Sequence, residues 1–295
     1  MNQYPIILAH GIARLDHLSI TFLQRLDLLV WDRSNLFDEL HYFRGIASYL
    51  QNNGYELYKT GVRFAASVDE RAKDLRQEVE RILDLSAAEK VHIIGHSMGG
   101  LDARHMIVDE GMAEKVASVT TIGTPHLGTS FADWGLLHGG NDVVEAMGHV
   151  VDLDGFLTLT SAAMNAFNKR AEPEEATNPV FYQTYASAQE KANVFGPLRL
   201  SWQIIFDKQG ANDGLVPFSS QQWTHELVGT NGETKLVPQH QFPMPADHLN
   251  QIGWWDLDEL NRPEWWKLNF VEEKRRFETA VRQVYLKIAN EVAAL

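Results

Sequence analysis

The residues most able to do chemistry lie around Ser97, in the sequence Gly95-His96-Ser97-Met98-Gly99. A serine with a glycine two positions before it and another two positions after it is typical of a very tight turn between a strand and a helix. Such a turn exposes the serine hydroxyl and places it at the N-terminus of the helix, where developing negative charge is stabilised. The spacing therefore predicts a nucleophilic serine, with a chance turn as the alternative.

Ser97 needs two partners, because a serine hydroxyl is a poor nucleophile until a histidine takes its proton and a carboxylate holds that histidine. For a nucleophile on a strand-to-helix turn, the acid and then the histidine follow along the chain. We predict Asp213 as the acid, since it lies in a turn, Asn212 to Pro217, after a predicted strand at 202–206. Asp207, directly after that strand, is the competitor, and ordinary turn chemistry is the alternative for either aspartate.

The base is predicted to be His248. It lies in a polar loop, Ala246 to Asn250, from which a side chain can reach the serine while the sheet holds the other groups. His225 and His240 also follow the predicted acid and remain open as bases. The alternative for His248 is a surface histidine without a catalytic role.

An ester carbonyl under attack becomes an oxyanion, which preorganised backbone N–H groups must stabilise. We expect one such donor from Met98, the residue after the nucleophile. The second is expected from Ile12, because Gly11 lets the backbone approach closely after an early strand, and His10 would orient that loop. An ordinary turn at the strand end is the alternative.

Apolar runs and amphipathic stretches separate these residues along the chain. Strands are predicted at 5–10, 91–94, 116–122 and 202–206, and helices at 69–85, at 98–109 and along a C-terminal stripe at 277–292. Alternating strands and helices indicate an α/β fold with a mostly parallel central sheet and helices on both faces. Residues 128–200 show no clear strand pattern, so we expect a cap or helical lid insertion there, within a single domain of residues 1–295.

The composition narrows the class of protein. The chain of 295 residues is 44% hydrophobic and 22% charged, as in soluble globular proteins. A net charge of −13 argues against nucleic acid as a partner but allows an ester or lipid–water interface, and no protein partner is implied. Without cysteine there is no disulfide, thiolate nucleophile or cysteine metal site. Neither a membrane span of ~18 apolar residues nor a signal peptide is predicted, so the compartment is the cytoplasm or that of a mature secreted form.

Five segments of the chain together resemble the bacterial true lipases, the family I lipases of the α/β-hydrolase superfamily. In the order of that family they are YPIILAHGI at 4–12, IIGHSMGGLDAR at 93–104, IGTPHLGT at 122–129, NDGLVP at 212–217 and DHLNQIGW at 247–254. The resemblance implies the α/β-hydrolase fold, a mobile lid, and hydrolysis of triacylglycerols or other esters through an acyl-enzyme. It also implies Ser97, Asp213 and His248 as a triad, with Ile12 and Met98 as oxyanion donors.

The chain departs from the lipase pattern after the predicted base. Many members of the family bind a structural calcium ion there, through an aspartate two residues after the histidine and a glutamine further on. Here the first position is Asn250 and the stretch to Gln251 is short, so calcium is not supported and no cofactor is predicted. Arg71 lies where relatives have an arginine that steadies the oxyanion loop, with a solvated helix charge as the alternative.

The predicted lid contains Val143, Met147 and Val150 at helical spacing. An amphipathic helix there would cover the site when closed and present its apolar face to lipid when open, and a helix packed permanently on the core is the alternative. The sequence leaves open whether four residues line an acyl pocket or belong to the core, namely Phe131, Trp134, Leu136 and Leu137. The sequence also leaves open whether four tryptophans line the mouth of the pocket or pack the last helix on the sheet, namely Trp254, Trp255, Trp265 and Trp266.

The sequence thus predicts a serine carboxylic ester hydrolase, with a triacylglycerol lipase as the first expectation. A non-lipolytic esterase, a thioesterase or an acyltransferase would use the same residues. A catalytically silent binding protein of the same fold is a remote alternative, because a binding protein has no need of the complete set of nucleophile, acid, base and oxyanion donors.

Overall fold

The computed structural model describes residues 4–11, 42–63, 66–138, 158–254 and 270–295. The strands, in chain order, are β1 (Ile6–Ala9), β2 (Leu57–Lys59), β3 (Val91–His96), β4 (Val116–Ile122), β5 (Phe181–Ala186), β6 (Glu226–Val228), β7 (Thr234–Leu236) and β8 (Gln239–Gln241). Six of them form a sheet in the order β2-β1-β3-β4-β5-β8, with each neighbouring pair parallel, while β6 and β7 form an antiparallel pair. The predicted parallel sheet is confirmed.

Helices cover both faces of this sheet. They are α1 (Ile46–Asn52), α2 (Val68–Ser86), α3 (Met98–Asp109), α4 (Ser130–His138), α5 (Ser161–Thr177), α6 (Arg199–Gln209), α7 (Phe218–Gln222) and α8 (Phe270–Val292). Within the described ranges, none of these helices combines the length and the apolar character that crossing a membrane requires.

The central strands are buried on both faces, which is why their sequences are apolar runs rather than alternating patterns. Successive residues nevertheless contribute to different cores. Ile7 and Ile93 belong to the core that contains residues of α2 and α3. Ile6 and Ile94 belong to the core on the other face, which contains residues of α1 and α8. The sheet therefore separates two apolar layers and presents one carboxyl edge, at which β1 and β3 end side by side.

Helix α2 confirms the helix predicted at 69–85. It begins after Ser67, whose hydroxyl accepts the N–H of Glu70 while the Glu70 carboxylate accepts the N–H of Ser67. Leu75, Val79 and Ile82 are buried on one face of the helix. The periodicity in the sequence and the capping residues thus agree on the position of this helix.

The prediction of a strand at 202–206 is wrong, because these residues lie in helix α6. Their aromatic and β-branched side chains favour a strand by local propensity. The buried residues Ser201, Trp202 and Ile205 are nevertheless spaced as one face of a helix, and Phe206 is exposed. Packing of that face overrides the local preference.

The expectation that residues 128–200 contain no strand is also wrong, since β5 lies within them and joins β4 to β8. Its sequence, Phe-Tyr-Gln-Thr-Tyr-Ala, lacks the aliphatic run of the other buried strands. The polar Gln183 is tolerated inside because its amide donates to Thr120 Oγ1 at 2.9 Å. Helices α4 and α5 are the described part of the insertion that precedes β5, and the single domain of residues 1–295 stays a prediction.

Candidate active site

Ser97 lies in a strained turn between β3 and α3, as its spacing predicts. Its backbone has φ 56°, a left-handed value that is costly for a residue with a side chain. A Cβ at Gly95 would lie 2.6 Å from the amide nitrogen of Gly100, and one at Gly99 would overlap the carbonyl oxygen of Ala9. The glycines therefore allow the close approach that the turn requires. Ser97 N–H donates to Ile122 O at 2.9 Å, which anchors the turn to β4.

The loop after β1 approaches Ser97 closely. A Cβ on Gly11 would lie 2.7 Å from Ser97 Cβ and 3.1 Å from Ser97 Oγ, so only a glycine leaves room here. Met98 is the first residue of α3 and is fully buried, and the first N–H groups of a helix have no acceptor within it. The structure therefore places the backbone around Gly11 and the start of α3 beside Ser97. The predicted donor Ile12 lies outside the described residues.

Asp213 and His248 are brought together by the fold. His248 Nδ1 and Asp213 Oδ2 are 2.7 Å apart, and both side chains are buried. Asp213 Oδ1 accepts the N–H groups of Leu215 at 2.9 Å and Val216 at 2.7 Å, which fixes the plane of the carboxylate. The His248 ring lies 4.5 Å from the ring of His96, the residue before Ser97. The pair therefore lies beside His96, at the end of β3.

The competing acid and bases are placed elsewhere. Asp207 is exposed on α6, where it accepts the amide of Gln203 at 2.6 Å. His240 lies on β8 and stacks on Tyr185, with ring centroids 4.6 Å apart. His225 is exposed. Of the alternatives that the sequence left open, the structure pairs only Asp213 with His248.

Arg71 is fully buried, so its interpretation as a solvated helix charge is wrong. Its guanidinium forms an ion pair with Asp102, at 2.6 Å between Nη2 and Oδ2. Nη2 also donates to His10 O at 2.7 Å, and Nη1 donates to Arg63 O at 2.6 Å. Burial and, less strongly, the charge of Arg71 lower the pKa of His10 to about 4. Arg71 thus fixes the backbone at the end of β1, next to Gly11.

The family of the chain follows from residues 33–226, which match the proteins described as "Putative serine esterase (DUF676)". The matched range is more than half of the chain and includes both Ser97 and Asp213. The chain belongs to this serine esterase family. It is accordingly a serine ester hydrolase, and the predicted enzyme class, hydrolysis of carboxylic esters, is confirmed.

Relatives of this serine esterase are similar over most of its length. Triacylglycerol lipase 2 of Saccharomyces cerevisiae is 28% identical over 263 residues, which are 86% of this chain and 74% of the relative. A triacylglycerol lipase of Vibrio cholerae is 34% identical over 249 residues, 73% of this chain and 72% of that protein. The solved mature lipase BlEst2 of Bacillus licheniformis has a TM-score of 0.58 at 19% identity, covering 84% of this chain and 85% of that one. The resemblance to lipases and the α/β-hydrolase fold are confirmed.

The loop around His248 in this serine esterase does not fit a calcium site. The Asp247 carboxylate accepts three backbone N–H groups, from Phe195 at 2.9 Å, Leu249 at 3.0 Å and Asn250 at 2.8 Å. Burial raises the pKa of Asp247 to about 6, although these hydrogen bonds act in the opposite direction. Calcium takes roughly six to eight oxygen ligands. The described oxygens next to His248 are instead engaged in holding the loop itself.

Three further residues contact the site of the serine esterase and were missed as functional candidates. Gln251 Nε2 donates to Asp213 Oδ2 at 2.9 Å, and Gln251 Oε1 lies 3.0 Å from His96 Nε2. Tyr42 Oη lies 2.8 Å from His96 Nδ1. His96 and Gln251 are parts of recognisable segments, but these contacts join residues that are far apart in the chain. No local pattern could have indicated them.

The predicted lid and several aromatic candidates lie outside the described residues, namely Val143, Met147, Val150, Trp255, Trp265 and Trp266. Among the described candidates, Phe131 is fully buried in the core, and Trp134 is half-buried and stacks on it. Leu136 and Leu137 are 63% and 77% exposed, so neither is a core residue. Trp254 is buried and its indole N–H donates to Tyr42 O at 3.1 Å.

Proposed function

We propose that this protein is a triacylglycerol lipase that hydrolyses carboxylic esters through an acyl-enzyme on Ser97. The observation that carries the proposal is the buried 2.7 Å hydrogen bond between His248 Nδ1 and Asp213 Oδ2, together with a strained turn where Gly11 lies against Ser97. The names of the yeast and Vibrio relatives support a lipid ester as the substrate. The catalytic unit is a single domain of residues 1–295, with a cap before β5.

The hydrogen bond between His248 and Asp213 determines the mechanism. Because Nδ1 donates to the carboxylate, Nε2 of His248 is free to accept the proton of Ser97 Oγ. The serine oxygen attacks the ester carbonyl, and the N–H groups of Met98 and Ile12 stabilise the oxyanion. The alcohol leaves with the proton from His248. Water then attacks the acyl-enzyme with the same base, so the reaction needs no cofactor.

The surface and a cavity near the site support a lipid substrate. Leu127, Leu136 and Leu137 are exposed apolar side chains on α4 and the loop before it, a feature that suits contact with a lipid–water interface. A cavity of about 370 Å³ lies beside the loop after β1, and its lining comprises Leu8, His10, Tyr42, Phe43, Lys59, Thr60, Gly61, Val62 and Arg63. Most of its lining surface is apolar, which suits an acyl chain.

The deciding experiment is tributyrin hydrolysis at constant pH, from below to well above the solubility limit of the substrate, with Ser97→Ala alongside. A rate that depends on Ser97 and rises sharply when droplets form supports a lipase with a working lid. A Ser97-dependent rate that saturates below that limit would identify a non-lipolytic esterase with a fixed cap. No Ser97-dependent rate would direct the search to thioesters and acyl transfer, and would remove the proposal.

The acid is tested separately with a matched pair of aspartate variants. Asp213→Asn should lower kcat by roughly 10³- to 10⁴-fold while the protein stays folded, because the amide no longer holds the correct tautomer of His248. Asp207→Asn is the control, since Asp207 is exposed on α6. Near-normal turnover in Asp213→Asn, together with loss of turnover in Asp207→Asn, would transfer the role of the acid to Asp207.

A further inference from the structure

Gln251 contacts Asp213, the partner of His248, and every polar atom of the Gln251 side chain has a hydrogen-bond partner. It is fully buried, three residues after His248. Nε2 donates to Asp213 Oδ2 at 2.9 Å and to Ser187 Oγ at 2.7 Å, while Oε1 lies 3.0 Å from His96 Nε2. A Cβ on Gly123 would overlap Gln251 Oε1, so the end of β4 also leaves room for this amide. Asp213, Ser187, His96 and the glycine at position 123 together form a closely fitting site for the Gln251 amide.

The orientation of the amide follows from its partners. A carboxylate only accepts hydrogen bonds, so the atom that faces Asp213 must be the nitrogen. Ser187 Oγ donates its own hydrogen to Ala246 O at 2.8 Å, and it can therefore only accept from Gln251. The oxygen Oε1 must then face His96. Hydrogen-bond donors and acceptors thus exclude the flipped amide.

This orientation fixes the state of His96. Because Gln251 Oε1 accepts, the hydrogen of the neutral imidazole must be on Nε2, and the bare Nδ1 accepts from Tyr42 Oη at 2.8 Å. Burial and, to a smaller extent, the neighbouring His248 hold the pKa of His96 well below its usual range. His96 therefore stays neutral when His248 takes up a proton. A continuous chain of hydrogen bonds runs from Tyr42 through His96 and Gln251 to Asp213.

The far end of that chain meets the catalytic carboxylate. Asp213 Oδ2 accepts from both His248 Nδ1 and Gln251 Nε2, so the position of this oxygen depends on Gln251. We propose that Gln251 is a positioning residue for ester hydrolysis, which holds Asp213 Oδ2 in line with His248 and is itself fixed by His96 and Tyr42. This inference rests on the proposed roles of Ser97, Asp213 and His248. Gln251 acts through Asp213 and does not touch the substrate.

Other titratable groups also surround the chain of hydrogen bonds and must be considered in any pH profile. The charge of Asp213 helps to raise the pKa of Asp247, and Tyr285 Oη donates to Gln251 O at 3.1 Å. Arg71 and Asp102 act on Tyr42 through their charges, in opposite directions. None of these groups accepts a hydrogen bond from the Gln251 amide. A change confined to that amide should therefore affect the pH profile through Asp213 and His96.

The test compares Gln251→Met and Gln251→Glu with the wild type, using hydrolysis of p-nitrophenyl butyrate as a function of pH. Gln251→Met keeps the shape and removes the hydrogen bonds. By analogy with the outer partners that orient metal-ligating histidines, kcat should fall roughly 10- to 100-fold, while KM changes by about twofold or less. In Gln251→Glu, the introduced carboxyl group can donate to Asp213 only when it is protonated. Its ionisation puts two carboxylates face to face. Activity should therefore be retained at acid pH and show a new decline on the alkaline side.

The matched controls are Gln183→Met and Gln183→Glu. Gln183 is a buried glutamine of β5 whose amide donates to Thr120, so these variants should lose stability but keep the wild-type kcat and pH profile. Wild-type kcat in Gln251→Met would overturn the inference. If that variant does not fold, the absence of a new alkaline decline in Gln251→Glu would overturn it instead. Activity that persists in Ser97→Ala would refute the proposed function, whereas an inactive Ser97→Ala beside a fully active Gln251→Met refutes only the role of Gln251.

Discussion

Two buried arginines form ion pairs in which one of the two residues lies on α3. The two arginines differ in their other contacts. Arg71 comes from α2 and pairs with Asp102 of α3, while Arg104 of α3 pairs with Glu175 of α5, at 2.7 Å between Nε and Oε1. All four side chains are 0% or 1% exposed. The remaining donors of Arg71 reach backbone carbonyls, one of them His10 O at the end of β1.

The second pair is surrounded by side chains. Arg104 Nη1 donates to His126 Nδ1 at 3.1 Å, and its guanidinium lies 3.8 Å from the ring centroid of Trp223 and 4.9 Å from that of Phe167. These contacts fix α5 to α3 at a distance from Ser97. The same ion-pair chemistry therefore has two consequences. One arginine holds the backbone next to Ser97, and the other holds α5 against α3.

Loss of Arg71 should have the larger effect. Arg71→Met leaves the buried carboxylate of Asp102 without a partner, so the free energy of unfolding should fall by about 3–5 kcal/mol. It also releases His10 O, and movement of the loop at Gly11 should lower kcat of the folded enzyme by roughly 10- to 100-fold. Urea unfolding gives the stability, and turnover of p-nitrophenyl butyrate per folded molecule gives kcat. An unchanged kcat would show that the loop holds its position without Arg71.

Arg104→Met should lose a similar 3–5 kcal/mol of stability, because Glu175 becomes an unpaired buried charge, but kcat per folded molecule should stay within about twofold. The double variant Arg104→Met/Glu175→Met should recover most of the lost stability, since burial without charge is tolerated better. Arg76→Met is the control for ion pairing at the surface, where Arg76 and Glu80 are about half exposed, and no measurable loss is expected. A kcat loss in Arg104→Met equal to that of Arg71→Met would erase the distinction between the two pairs.

Low pH should lower the free energy of unfolding through a buried histidine next to each arginine, His10 beside Arg71 and His126 beside Arg104. Burial and Arg71 lower the pKa of His10 to about 4, and burial and Arg104 hold the pKa of His126 well below its usual range. A histidine in the unfolded chain has a pKa of about 6.5, so the unfolded state binds more protons as the pH falls below that value. The free energy of unfolding should therefore decrease from about pH 6.5 down to about pH 4, by on the order of 3 kcal/mol for His10 alone.

Urea unfolding at about pH 7 and about pH 4.5 measures this loss. His10→Asn removes one titrating group, and its stability should depend less on pH than that of the wild type. Equal losses in the two proteins would mean that His10 is not the group that takes up the proton.

The sequence predicts best where one local pattern carries the information. The turn at Ser97 is predicted correctly because it demands glycines at fixed positions, and β1, β3 and β4 are predicted correctly because strands buried on both faces are continuous apolar runs. Asp213 and His248 are predicted from their order and from the turn and loop around them, although the strand expected before Asp213 is helix α6. The structure brings the two together as the sequence proposed.

The sequence predicts poorly where tertiary contacts decide. Trp202 lies in a helix because its face packs inward, against its local preference, and β5 was missed because Gln183 finds its partner only on the neighbouring strand. The role of Gln251 has no local signal, since it depends on a contact with His96, which is 155 residues away. A family segment can name such a residue but not its contacts.

The strand order of the sheet has a consequence for folding. Strand β1 inserts between β2 and β3, and the short β8, which precedes His248, adds to β5 and not to its neighbour in sequence. The groups around Ser97 therefore meet only after several long loops have closed, and such non-local pairings form slowly because their entropy is lost before contacts compensate for it. Esterase activity should consequently be among the last signals to return during refolding, and it reports assembly of the whole sheet rather than of any one part.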